Sequence, residues 1–106
     1  MIKKDQSKFT IIIPSKSFDE NLTNCIKKIR KFYKHIKIII LLDKKNTNNK
    51  FKKTKTIVTG SSTIGYKRNL AARLTKTKYL SFIDSDAYPT HKWLDFVLEC
   101  FKKTNK

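Results

Sequence analysis

The segment 36-IKIIILLD-43 limits the fold more than any other part of this chain. Apart from Lys37, every residue from Ile36 to Leu42 is apolar, so both faces of an extended chain would be apolar here. A strand in a sheet with one wet face alternates; a strand apolar on both faces has to be covered on both, as in a parallel sheet between layers of helix. The run is far too short to cross a bilayer. It ends abruptly at Asp43.

The neighbouring segments supply such a sheet. Phe9 to Ile13 is β-branched and aromatic and stops at Pro14, which predicts a first strand. Ser17 and Glu20 have the spacing of a capping box. Leu22, Ile26, Ile29 and Tyr33, with Cys25 and Phe32 beside them, then form a stripe at helical spacing, and the helix should end near His35. Residues 44–55 read as a polar, basic loop, and Thr56 to Thr59 as a short third strand. A loop holding the chain's two glycines, Gly60 and Gly65, leads to a helix over Tyr66 to Lys76 with Leu70, Ala71 and Leu74 on one face. Tyr79 to Ile83 is the fourth strand, and a last helix from about Thr90 buries Trp93, Leu94, Val97, Leu98 and Phe101.

The order β-α-β-β-α-β-α predicts an α/β fold with an open, mostly parallel, doubly wound sheet. In such sheets ligands bind beyond the carboxyl ends of the strands, where strand order reverses. Ser15 follows the first strand, Asp43 the second, and Asp84 and Asp86 the fourth.

At 106 residues the chain is one domain. Its net charge of +17 first suggests a polyanion partner. Yet 22 of the 25 basic residues are lysine, beside many Ile and Asn, a mix that AT-rich coding produces. Nucleic-acid readers lean on arginine, and no recognised nucleic-acid motif occurs. A solvated lysine surface is therefore the leading reading; nucleic acid is disfavoured, and contact with a membrane surface stays open. Cys25 and Cys100 have no CxxC spacing and suit buried thiols in a reducing compartment. With no apolar signal core at the N-terminus, the expected location is cytoplasmic, and the lysines leave a membrane-peripheral position open.

Asp84-Ser85-Asp86 is unusual in a chain with 8 acids. Carboxylates two apart on an extended chain point to one side and repel. A hard divalent cation would resolve this, since Mg²⁺ is commonly held by one or two carboxylates plus substrate phosphates. The alternative is that both aspartates cap the following turn.

Residues 60–94, GSSTIGYKRNLAARLTKTKYLSFIDSDAYPTHKWL, resemble the donor-binding segment of family 2 glycosyltransferases. The matching elements are Gly65, Arg68-Asn69, Ala71-Ala72, Asp84-Ser85-Asp86 and Trp93-Leu94; 11-IIIPSKSFDENLTNCIKKI-29 is similar to the family's first strand, turn and helix. The resemblance implies a Rossmann-like sheet of strand order 3-2-1-4, the N-terminal half of a GT-A fold. It implies a nucleoside-diphosphate sugar, first of all a UDP-sugar, as donor, and Mg²⁺ or Mn²⁺ as cofactor. Asp86 would bind the metal. Asp84 would hold the ribose or sugar or assist the metal, Asp43 would accept from the base, Ser15 would line the nucleotide pocket, and Arg68 would pair with diphosphate or base. The acceptor, a glycan, lipid or protein, would be served by a second half. Residues 1–106 thus read as a nucleotide-sugar-binding domain truncated after the Asp-x-Asp motif and one helix, expected to self-associate or recruit a partner chain. Two alternatives are a haloacid-dehalogenase-like phosphatase, which also uses Asp-x-Asp at a strand end, and a non-enzymatic basic module binding nucleic acid or anionic surfaces.

Overall fold

A computed structural model describes residues 6–45 and 51–86. The expected last helix, with Trp93 and Cys100, lies outside the described residues. The elements are β1 (Phe9–Pro14), α1 (Glu20–Phe32), β2 (Lys37–Leu42), β3 (Thr54–Val58), α2 (Ile64–Leu74) and β4 (Tyr79–Phe82). All strands pair in parallel, in the order β3-β2-β1-β4. The α/β, doubly wound reading holds.

The two-faced apolar runs dictate the layers. On one face Phe9, Ile11 and Ile13 of β1 and Ile38, Ile40 and Leu42 of β2 meet Leu22, Cys25, Ile26 and Ile29 of α1. On the other face Ile12, Ile39 and Leu41 meet Ala71 of α2, with Leu70 and Leu80 at the margin. Among the described residues this second core is the smaller. Leu74 is 47% exposed, so the expected stripe through Leu70, Ala71 and Leu74 does not pack as one. Alanine allows the helix its closest approach at residue 71, and one turn later the helix has emerged from the contact.

The start of α1 differs from the capping-box reading. Asp19, not Ser17, is the N-cap: its Oδ1 accepts the Leu22 amide at 2.9 Å. The Ser17 carbonyl instead accepts the Ser15 hydroxyl at 2.9 Å, and Phe18 packs against the core. Anchoring Phe18 sets where the chain can turn into the helix, and the nearest side chain able to cap after it is Asp19.

β3 begins two residues before the expected Thr56, because the ladder to β2 recruits Thr54 opposite Ile38 and Lys55 opposite Ile39. The turn into it is held by Arg30. That guanidinium donates to the carbonyls of Tyr33 (3.2 Å), Ile36 (2.6 Å), Lys52 (2.8 Å) and Lys53 (3.1 Å) and to Thr54 Oγ1 (3.1 Å). Burial pulls its pKa below the ordinary arginine value. Lys53 has a φ of 53°, in the left-handed region that costs a non-glycine residue roughly 1–2 kcal/mol. Its carbonyl takes the Ile38 amide at 3.0 Å as well as Arg30, and these bonds offset the strain. Among the described residues no helix is long and apolar enough to cross a membrane.

The two-layer packing makes a graded prediction. Ile40→Ala, at a fully buried position of the central sheet, should cost about 3 kcal/mol in urea unfolding. Leu74→Ala should stay within about 0.5 kcal/mol of the parent. Equal losses would show that α2 packs along its whole length.

Candidate functional site

The carboxyl ends of the strands are tied to one another by backbone bonds. The Ser15 amide donates to the Leu41 carbonyl at 2.9 Å, Asp43 to Lys16 at 3.1 Å, and Thr59 to Leu42 at 2.8 Å. Ile83, just past β4, donates to Ile12 at 3.0 Å. The crossover through α1 carries the chain from β1 to β2, and the one through α2 carries it from β3 to β4 on the opposite flank. Strand order therefore reverses between β1 and β4, and Ser15 and the Asp84–Asp86 segment flank that crevice. Gly60 (φ +75°) starts the turn that brings the chain from β3 to α2, a conformation that favours glycine.

α2 opens over this end of the sheet. Thr63 caps it, its hydroxyl accepting the Tyr66 amide at 3.1 Å. The next turn carries two cations that reach different strands. Lys67 is 2% exposed; its ammonium donates to the Ser15 carbonyl at 3.1 Å and forms a close ion pair with Asp43 Oδ1. Arg68 meets Asp84 Oδ1 at 3.5 Å, and its guanidinium lies 5.4 Å from the centre of the Phe82 ring. That second pair is partly exposed and contributes at most about 1 kcal/mol. Arg68 Nε is buried and has no hydrogen-bond partner among the described residues, so the guanidinium is not fully committed to Asp84.

Of the residues singled out from sequence, Ser15 and Asp43 are joined through Lys67, and Arg68 and Asp84 through their ion pair. Lys67 itself escaped the sequence reading. The signal was present: it lies four residues before Ala71, on the apolar stripe, and a lysine there needs a buried acceptor. Asn69, the partner of Arg68 in the family-like pair, is an exposed residue within α2.

Asp84, Ser85 and Asp86 lie just beyond β4, with Ser85 and Asp86 in a turn. The segment is therefore not the extended chain that would set both carboxylates on one side. Both aspartates are exposed, open to solvent and to any ligand in the crevice. Among the described residues no group of three or more His, Cys, Asp or Glu side chains gathers as a metal cage. The donor set does suit a hard cation that takes its remaining ligands from water and phosphate. Beneath the turn, the Cys25 thiol faces the Asp84 carbonyl at 4.0 Å. Burial, and secondarily the charge of Asp86, push its pKa up to about 11. Burial therefore keeps the thiol protonated at neutral pH.

Two measurements check this geometry. Lys67→Met strands the Asp43 carboxylate and should cost about 2–4 kcal/mol in urea unfolding; adding Asp43→Asn should restore most of it. No recovery in the double variant would mean that the pair is not coupled. In Cys100→Ser protein, Cys25 should react with a thiol reagent at pH 8 only as fast as the chain unfolds. Because burial raises its folded pKa above the ordinary thiol value, its contribution to stability is complete below that ordinary value and is lost as pH rises towards about 11.

The comparisons with known proteins come to rest on this geometry. No curated protein matches the chain by sequence. Among solved structures, the crystal structure of S. aureus TarS 1-349 is similar in fold, with a TM-score of 0.68 and 18% identity. The match covers 90% of this chain and 32% of that one, so the chain spans about a third of its structural neighbour. The profile described as Glycosyl transferase family 2 matches residues 10–106, nearly the whole length. The chain therefore belongs to glycosyl transferase family 2.

Proposed function

We propose that these residues form the donor-binding part of a glycosyltransferase, taking a nucleoside-diphosphate sugar, first of all a UDP-sugar, for transfer to a glycan, lipid or protein acceptor. The observation that carries the reading is the first part of α2, which links three strand ends at the switch point: Lys67 to Ser15 and Asp43, and Arg68 to Asp84. A phosphate-bearing ligand in that crevice meets Arg68 and two exposed carboxylates, with the charge of Lys67 buried behind them.

Each residue has a task in this reading. Lys67 holds Asp43 by Oδ1, which leaves Oδ2, with no partner among the described residues, to accept from a base N–H. Ser15 lines the nucleotide pocket beside it. Arg68 exchanges its loose contact with Asp84 for diphosphate oxygens, which its planar fork suits better. Asp86 and Asp84 would hold Mg²⁺ or Mn²⁺, whose chemistry is to offset charge on the departing diphosphate. The chain's own cations act in the same direction: Lys67 is fixed by the fold before the ligand arrives, and Arg68 is free to turn to it. A second half or partner chain completes the acceptor side.

Two experiments test this. Thermal stability should rise with uridine diphosphate plus Mn²⁺, by about 2.7 kcal/mol at a hundred times the dissociation constant. The gain should vanish with chelator and in Asp86→Asn protein; an equal gain in that variant would overturn the metal assignment. Asp43→Asn should narrow the preference for uridine over other nucleoside diphosphates while leaving the Mn²⁺ dependence in place. An unchanged preference would remove Asp43 from base recognition.

A further inference from the structure

The opposite end of the sheet carries a second feature that donor binding does not use. A cleft of about 540 Å³ opens at the amino ends of the strands, lined by Ser7, His35, Lys37, Lys53, Lys55 and Thr77 among others. We propose that this cleft is a second binding site, for a multiply charged phosphate-bearing anion.

Charge is segregated along the strand axis. Among the described residues every carboxylate, Asp19, Glu20, Asp43, Asp84 and Asp86, follows the carboxyl end of a strand or opens the helix after it. The cleft lies at the other end, and none of Lys37, Lys53 and Lys55 has a carboxylate partner among the described residues. Three lysines lining one concavity carry like charges that repel, and an anion held among them removes that repulsion. Lysine is a point-charge binder of phosphate, and a concave site excludes part of the water that would screen it.

The walls are held in place independently. Arg30 fixes the Lys52 and Lys53 carbonyls and Thr54 Oγ1. That clamp keeps Lys53 in the left-handed conformation from which it lines the cleft, a strained position of the kind that gathers at binding sites. Thr77 is tied to Thr10 by a 2.6 Å hydroxyl contact and donates to the Tyr79 carbonyl at 2.9 Å. The amide of His35 donates to the buried Gln6 side chain at 2.8 Å. The backbone that carries these lysines is thus held in place before an anion arrives, and among the described residues no carboxylate competes for them.

The test uses tripolyphosphate as probe, in titration calorimetry at physiological salt with chelator present, so that metal-dependent binding at the other end is silent. Three proteins are compared: the parent, Lys37→Gln/Lys53→Gln/Lys55→Gln, and a control with the same loss of charge at the exposed Lys27, Lys31 and Lys45. The cleft variant should raise Kd about tenfold, and the control less than about threefold. Amide shifts in the parent should centre on Ser7, Lys53 to Lys55 and Thr77. A parallel arm sediments the proteins with phosphatidylcholine vesicles containing phosphatidylglycerol. Dependence on the three cleft lysines there as well would make a lipid headgroup the source of the phosphate; dependence in the calorimetric arm alone would make it a soluble ligand. Equal weakening in the cleft variant and the control, shifts centred on Ser15 and Lys67, or no binding by the parent would overturn the proposal. Because the donor site and the cleft involve different residues, either can fail without the other.

Discussion

Burial of β1 and β2 on both faces is the constraint on which everything else rests. Ile11 and Ile13 look into the α1 layer and Ile12 into the α2 layer, and all are fully buried. Within the sheet the backbone groups are used up in parallel ladders. Functional groups are therefore confined to where the ladders stop. Among the described residues the two layers are unequal: the α1 face holds most of the core, and the α2 face rests on Ile12, Ile39, Leu41 and Ala71. The helix with the thinner apolar support is also the one that carries both site cations.

Lys67 shows what that arrangement costs and what it provides. Burying an ammonium is unfavourable unless its partners are well placed, and an apolar residue would serve stability as well or better. Here the ammonium holds Asp43 and the Ser15 carbonyl, so it orders the ends of β1 and β2 from a third element. Arg68, one residue on, has only a loose and exposed contact. One cation is structural and set, its neighbour is free to exchange partners, and a helical step of one residue separates the two roles. Cys25 completes the floor of the site as a protonated thiol.

The same topology gives the molecule an electrical axis. Parallel strands place every carboxyl end on one side, and the described acids gather there. The amino ends are left to lysine, histidine and the Arg30 clamp. A charge of +17 read from composition is a scalar and suggests only a solvated lysine surface; its distribution is a property of the fold.

Much of this was legible in the residues. The two-faced run Ile36–Leu42, the strand Phe9–Pro14 and the alternation of strand and helix determined a parallel α/β sheet, because a segment apolar on both sides has few other places to go. Local pattern likewise placed Ser15, Asp43, Asp84 and Asp86 at strand ends. Local pattern failed where a distant partner decided the outcome. Asp19 displaced Ser17 as cap once Phe18 was anchored, β3 lengthened because β2 offered a ladder, and Leu74 left the core because Ala71 set the point of contact. Lys67 is the clearest case: its place on the apolar stripe four residues before Ala71 says that it needs a buried acceptor, but nothing near it in the chain says which one. Only the tertiary structure brings Asp43, 24 positions away, and Ser15, 52 positions away, to its ammonium. Sequence determines which groups can ionise, whereas the fold alone decides which of them lose water and must find each other.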